Sequence, residues 1–517
     1  MKYKILWVDD EVDLLKPHIL FLENKGYEIV PVISGADALE EIDNSSYDAV
    51  FLDENMPGMT GLETLNYIKS THPNLPVIMI TKSEEEQIME EAIGSKIADY
   101  LIKPLNPNQI LLSVKKILDN KRIISEKTNL GYQQEFRNLS MELNEVNNFA
   151  DWIELYKRLV YWELEIDNTE DKSMEEILSM QKTEANSNFC SYVIKEYESW
   201  LNDPDIERPI LSHQVLRKWV KPAINVDRPV FLIVIDNLRL DQWETMETEI
   251  SQLFEVQDKK CYFSILPTTT AYARNAFFAG MMPSDIAKHH NDLWVGEESD
   301  KGKNSNEDKL LGRFLNKESL DIRYSYNKII QASDGKNLVD QVGNLFANPL
   351  NAIVFNFVDM LSHARTDSQM IRQLAPDESA YRSLTLSWFT HSSLYDLLKK
   401  LSTENVKIMI TTDHGTIRVK RPEKIIGDKN TNSNLRYKAG RNLAFNEREV
   451  FAVRAPERLK LPKQNFSTSF AFAAEDHFFA YPNNFNHYAK FYKDTFQHGG
   501  ISMEEMIIPF ITLNSKS

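Results

Sequence analysis

At 517 residues the chain is long enough for three or four domains. Its 59 basic and 76 acidic side chains leave a formal charge of −17, which argues against a protein that coats nucleic acid or an anionic membrane. Seventeen glycines exclude collagen-like and loop-rich chains, and two cysteines, Cys190 and Cys261, cannot supply a disulfide framework, which fits a reduced cytoplasm.

The N-terminus runs from Met1 to Asp9-Asp10-Glu11 without the apolar stretch of a signal peptide. No stretch approaches the ~18 apolar residues of a spanning helix. A cytoplasmic location is therefore expected. Apolar runs at 4–8, 28–33, 48–52, 76–81 and 97–102 alternate with helical patterns, which predicts a five-stranded, doubly wound parallel sheet over residues 1–121. This segment holds 11 basic and 21 acidic side chains, most of the net charge. Residues 122–208 contain one glycine and one proline, and Leu139, Trp152, Leu155, Leu159 and Trp162 mark apolar helical stripes. A small helical bundle is expected there, entered through a long helix near 108–145, serving as a spacer or as a signal-transmitting linker.

Strand signals return over 209–517, which predicts an α/β domain. Runs at 229–235, 352–358 and 406–412 read as strands buried on both faces, each followed by a carboxylate: Asp236, Asp359 and Asp413. Open α/β sheets place their sites at that edge. Residues 296–309 read as an exposed polar loop.

In the N-terminal sheet, Asp9, Asp10, Asp53, Thr81 and Lys103 all fall at carboxyl ends of strands. Crowded carboxylates call for a hard cation, and Mg²⁺ with the Asn55 carbonyl as a further oxygen fits. Asp53 could then act as a nucleophile toward phosphorus, with Lys103 and Thr81 contacting phosphoryl oxygens. These residues, with Leu52-Asp53-Glu54-Asn55-Met56-Pro57-Gly58 and Lys103-Pro104, resemble a response-regulator receiver domain. The resemblance implies that Asp53 is the phosphoacceptor, that Asp10, Asp53 and Asn55 bind Mg²⁺, and that Thr81 and Tyr100 are switch residues.

In the C-terminal segment, Asp236, Asp359 and Asp413 stand with His363, His414 and His498. Six such ligands exceed one tetrahedral Zn²⁺ and suit two metals. A threonine among Thr268, Thr269 and Thr270 could be a nucleophile activated by a dication. Val234-Ile235-Asp236-Asn237, Pro267-Thr268-Thr269-Thr270, Asp359-Met360-Leu361-Ser362-His363, Thr412-Asp413-His414-Gly415 and His498-Gly499-Gly500 resemble the alkaline phosphatase superfamily, particularly its PglZ branch. The resemblance implies one zinc held by Asp236, Thr270, Asp413 and His414, another by Asp359, His363 and His498, and Thr270 as nucleophile. Arg274, Asn275 and Asn237 are candidates for gripping phosphoryl oxygens. Eight basic residues between 415 and 441 (Arg418, Lys420, Arg421, Lys424, Lys429, Arg436, Lys438 and Arg441) could hold further phosphates of a polyanionic substrate.

Receiver (1–121), helical linker (122–208) and alkaline-phosphatase-like domain (209–517), in that order, resemble the PorX-like response regulators of Bacteroidetes. That resemblance implies a regulator of type IX secretion, phosphorylated by a sensor histidine kinase and dimerising on phosphorylation. Its effector domain would be a dizinc phosphodiesterase acting on cyclic or linear oligonucleotides. A sigma factor and a secretion-motor component are the implied protein partners. The alternative is a non-catalytic, zinc-supported module that relays phosphorylation state to those partners. A duplex-DNA-binding role has neither a helix-turn-helix signature nor the right charge.

Overall fold

The computed structural model describes residues 3–73, 75–82, 97–169, 173–225, 228–297, 302–428, 431–446, 450–463 and 467–516. The chain divides into two compact units, residues 1–133 with 169–172, and residues 134–168 with 173–517.

In the first unit, β1 (Lys4–Val8), α1 (Val12–Asn24), β2 (Glu28–Val32), α2 (Gly35–Asn44), β3 (Ala49–Asp53), α3 (Gly61–Thr71), β4 (Val77–Thr81) and β5 (Asp99–Ile102) alternate along the chain. The strands form one sheet of order β2-β1-β3-β4-β5, every pair parallel. Ile5, Trp7, Phe51, Ile78 and Ile80 pack on one face, while Leu6, Val8, Val50, Leu52 and Met79 pack on the other. Burial on both faces explains why these strands read as unbroken apolar runs. Helix α3 starts at a reciprocal cap. Thr60 Oγ1 accepts from Glu63 N at 3.2 Å, and Thr60 N donates to Glu63 Oε2 at 3.0 Å. The helix expected between β4 and β5 falls on 83–96, outside the described residues.

Helix α4 (Pro107–Leu143) begins in the first unit and ends in the second. In the second unit, α5 (Phe149–Asp167) and α6 (Ser173–Asn202) pack together and against the remainder. They share a core with the α/β part: Phe189 lies 5.4 Å from Trp152 and 5.8 Å from Phe263, centroid to centroid. They also share charges. Arg382 pairs with Glu163 at 3.0 Å, with Asp241 at 2.8 Å and with Asp167. The helical segment is thus built into the body of the second unit.

Six strands make the central sheet: β6 (Val230–Ile235), β7 (Phe254–Phe263), β8 (Tyr324–Ile329), β9 (Leu350–Phe355), β10 (Lys407–Thr411) and β11 (Ile507–Ser515). Their order is β7-β11-β10-β6-β9-β8. The four strands from β10 to β8 are parallel, and β11 is antiparallel to both β10 and β7. Phe231, Ile233 and Ile235 of β6 enter one core, and Val230, Leu232 and Val234 the other. The expected strand over 352–358 stops at Phe355, and Asp359 lies instead in the first turn of α7 (Phe357–Asp367).

Two further expectations are corrected. Of the polar segment 296–309, residues 298–301 lie outside the described residues, but Glu307 is 1% exposed and starts the helix Glu307–Lys317. It is held there because its carboxylate answers Arg274 and Lys328. The basic run 415–441 is partly committed within the fold, while Lys420, Lys424 and Arg441 are exposed. Arg436 is fully buried against Glu505, Arg418 pairs with Asp494, and Arg421 pairs with Glu475 and Asp476. Lys429 lies outside the described residues.

Lys438, in the same run, is 1% exposed, with its Nζ donating to the Asn432 carbonyl at 2.9 Å. Burial pulls this lysine down to about 7. Between pH 7 and about 10.5 the unfolded chain therefore binds more protons than the folded one, and the native state gains stability as pH rises through that window. Lys438→Met is expected to raise stability below pH 7 by about 2 kcal/mol, a gain that fades as pH climbs to 10. Thermal unfolding across this pH range checks it.

Candidate functional sites

In the first unit, Asp9, Asp10 and Asp53 offer carboxylate oxygens within 4.8 Å of one another. Asp9 follows β1, Asp53 closes β3, and Lys103 follows β5, so the parallel sheet delivers all three to one edge. Lys103 Nζ lies 2.8 Å from Asp9 Oδ2 and 3.0 Å from Asp53 Oδ1. Burial pushes the Asp53 carboxyl above its usual range, against the opposing pull of Lys103. Asp53 is fully buried, and among the described residues its Oδ2 accepts no hydrogen bond. An acid so placed and so short of countercharge suits a hard divalent cation. Thr81 is buried at the end of β4, Tyr100 is 40% exposed on β5, and Asn55 stands two residues beyond β3 on the surface.

In the second unit, two clusters form. Asp236, Asp413 and His414 bring ligand atoms within 4.8 Å of one another, and so do Asp359, His363 and His498. Asp236 directly follows β6, while Asp413 and His414 follow β10. Thr270 opens the turn Thr270–Arg274, and its Oγ1 lies 3.2 Å from both Asp236 Oδ1 and His414 Nε2. Asp359 and His363 are one helical turn apart on α7, with His363 Nε2 3.5 Å from Asp359 Oδ2. His498 Nε2 lies 3.4 Å from the other oxygen, Asp359 Oδ1. The two clusters adjoin, since the rings of His414 and His498 stack with centroids 4.3 Å apart. All seven predicted residues thus come to one place.

The imidazoles are oriented from behind. His414 Nδ1 meets the Gly415 carbonyl at 3.1 Å, and His498 Nδ1 meets the Thr268 carbonyl at 3.2 Å. In each ring this leaves Nε2 for the cluster. Burial holds His414 down to about 4, which keeps it the neutral ligand a cation requires. Burial also pushes Asp236 well up, outweighing Arg274. Asp359 goes the other way: burial raises it, but the hydrogen bond and charge of His498 outweigh that and hold it below the usual range. Among the described residues, Asp413 Oδ2 accepts no hydrogen bond. Mixed carboxylate and imidazole donors with spare oxygens fit divalent cations.

Of the three residues considered for gripping phosphate, two are committed elsewhere. Arg274 is fully buried between Asp236, at 2.8 Å, and Glu307, at 2.6 Å. Asn275 donates to the carbonyls of Ala271 and Lys303. Asn237 stays at the centre. Its backbone takes φ +66°, its N–H reaches Asp413 Oδ1 at 3.4 Å, and its Nδ2 reaches Asp359 Oδ1 at 3.3 Å, so it spans both clusters.

Sequence reasoning offers Thr268 only as a possible nucleophile and gives Glu505 no role, whereas both position the site. Thr268 Oγ1 donates to the Gly500 carbonyl at 2.9 Å and accepts from Gly499 N at 3.0 Å, tying the threonine loop to the His498 loop. Glu505 Oε1 accepts from Gly500 N at 2.9 Å. The pair Glu504-Glu505 beside His498-Gly499-Gly500 carried that signal.

Three family models match the chain. The one described as "BREX system PglZ alkaline phosphatase-like domain" matches residues 215–513, "PorX response regulator linker domain" matches 122–201, and "Response regulator receiver domain" matches 5–115. Among curated proteins, the transcriptional regulatory protein ZraR of Escherichia coli O157:H7 is 33% identical over 124 residues, 24% of this chain and 28% of that one. The transcriptional regulatory protein ResD of Bacillus subtilis (strain 168) is 33% identical over 115 residues, 22% of this chain and 48% of that one. The chain therefore spans less than half the length of these relatives. Among solved structures, the receiver domain of NtrX from Brucella abortus is 32% identical and covers 22% of this chain and 98% of its own, with a TM-score of 0.22. Among the described residues, no helix is long and apolar enough to cross a membrane.

Proposed function

The chain belongs to the PglZ alkaline phosphatase-like family, joined as in PorX-like response regulators to a linker and a receiver domain, and on that premise we propose a phosphorylation-controlled zinc phosphodiesterase. Its substrates are cyclic or linear oligonucleotides. A sensor histidine kinase phosphorylates Asp53, and Asp10 and Asp53, with the Asn55 carbonyl, would hold Mg²⁺ beside Asp9. Phosphorylation acts through the helical linker and promotes a homodimer, in the service of type IX secretion through a sigma factor and a secretion-motor component. The protein acts in the cytoplasm.

The observation that carries the enzyme reading is the pair of adjoining carboxylate–imidazole clusters with Thr270 Oγ1 on one of them. Asp236, Thr270, Asp413 and His414 would hold one Zn²⁺, and Asp359, His363 and His498 the other. When bound, such ions neutralise phosphoryl oxygens and make a hydroxyl a better nucleophile. Thr270 Oγ1 forms the bond to phosphorus and the ester oxygen leaves. Water then releases the phosphate monoester, which keeps the second ester group, and restores the threonine hydroxyl. Asp236 Oδ1 accepts the Thr270 hydroxyl hydrogen. Gly415 and the Thr268 carbonyl keep both imidazoles turned toward the reacting centre.

The test is a zinc titration of the full chain followed by turnover of a chromogenic phosphodiester. Two equivalents and zinc-dependent hydrolysis are expected, whereas zinc uptake without turnover would favour the relay module. For the switch, an acyl-phosphate donor is expected to roughly double the mass in solution. Asp53→Asn is expected to abolish that change, as read by light scattering.

A further inference from the structure

Helix α6 carries Lys182, Asn186 and Cys190 at intervals of four, hence on one face. That face meets the segment following His498. Asn186 is 6% exposed and uses both ends of its amide. Its Oδ1 accepts from Met503 N at 2.8 Å, and its Nδ2 donates to Glu504 Oε2 at 2.9 Å. One turn on, Cys190 Sγ donates to the Ile501 carbonyl at 3.1 Å. One turn back, Lys182 Nζ lies 3.8 Å from Glu504 Oε1 and 2.5 Å from Glu163.

From this grip to the second ligand cluster the path is short and rigid. Glu505 fixes Gly500 N, Thr268 fixes Gly499 N and the Gly500 carbonyl, and the Thr268 carbonyl fixes His498 Nδ1. Neither glycine can be replaced: Gly499 has φ +123°, and a Cβ on Gly500 would overlap the Ala473 carbonyl oxygen. A segment pinned at each end cannot shift at 503–504 without moving His498. The first cluster leans mainly on the central sheet: Asp236 directly follows β6, and Asp413 and His414 come just after β10, although Gly415 N also donates to the Glu505 carbonyl at 3.1 Å.

We infer that Asn186 is a positioning residue that places His498 through Met503 and Glu504, so that this turn of linker helix α6 acts on the cluster of Asp359, His363 and His498. The consequence for metal binding rests on the dizinc reading; the mechanical coupling does not. Cutting the amide leaves the buried Met503 N–H and Glu504 carboxylate short of partners. Disturbing the groups that orient a ligand weakens a metal site by roughly 10- to 100-fold, and Asn186 stands behind the direct partner of His498, the Thr268 carbonyl.

The test uses the full chain with Asn186→Leu, Asn186→Asp and Ser191→Ala. Ser191 is exposed on the same helix and donates only to the Ser187 carbonyl, so it serves as the control. In metal-free protein, amide exchange over 498–506 is expected to quicken about tenfold in both Asn186 variants and to stay unchanged in the control. In the zinc titration, one equivalent is expected to bind 10- to 100-fold more weakly. Unchanged exchange in both variants overturns the inference. So does faster exchange with both zinc affinities intact, which would leave Asn186 a merely structural residue. If the unaltered chain takes up no zinc, the dizinc reading fails, and exchange alone decides whether Asn186 fixes the His498 segment. Asn186→Asp keeps the acceptor for Met503 N, so the comparison survives if Asn186→Leu does not fold.

Discussion

Thr270→Ala is expected to lower phosphodiester hydrolysis by at least about 10³-fold, because it removes the atom that bonds to phosphorus. The fold should be untouched. Thr270 is half-buried at the mouth of its turn, and its hydroxyl reaches only Asp236 and His414 among the described contacts. Zinc uptake by Asp359, His363 and His498 should persist, which separates loss of the nucleophile from loss of the site. Asp359→Ala should be equally inactive but should also lose an equivalent of zinc. Initial rates on a chromogenic diester, with circular dichroism as the fold control, decide it. Turnover that survives both substitutions would refute the assignment.

Glu505→Gln is expected to cost about 3–5 kcal/mol of stability, the usual penalty for stranding one member of a buried ion pair. Glu505 and Arg436 are both fully buried, 2.6 Å apart. Glu505 also accepts from Ser502 Oγ at 2.8 Å and from Gly500 N. An amide keeps the shape and one acceptor but leaves the guanidinium charge unanswered. The double variant Arg436→Met with Glu505→Leu should recover part of the loss, because it removes both charges together. Urea unfolding of the three proteins measures this. A single variant as stable as its parent would mean that the pair is not desolvated.

The three central strands of the receiver sheet, β1, β3 and β4, were legible because strands buried on both faces announce themselves as apolar runs, and the site residues sit at their ends. The same logic found Asp236 and Asp413. It failed at Asp359, where the apolar run passes through Asn356 without a break from β9 into α7. Periodicity over seven residues cannot separate a buried strand from a buried helical turn. The spacing of Asp359 and His363, four residues, was the better guide. The basic run 415–441 misled because its partners are distant in sequence: Glu475, Asp476, Asp494 and Glu505 all lie far downstream. Glu307 misled for the same reason, since nothing near it in sequence foretells Arg274. Asn186 was invisible, because a single asparagine on a polar helix shows no sign that Met503 and Glu504 will meet it.

Strand β11 fills the gap between β10 and β7, and that placement sets a timetable for synthesis. Once β10 has left the ribosome, roughly a hundred residues must still be translated before its neighbour exists. At roughly 5–20 residues per second, the unpaired flank of β10 waits about 5–20 s. Throughout that interval the nascent chain exposes a bare, apolar strand edge to other chains. Slower translation or a shortage of chaperones should therefore reduce the yield of this protein more than that of one whose sheet is closed by strands adjacent in sequence.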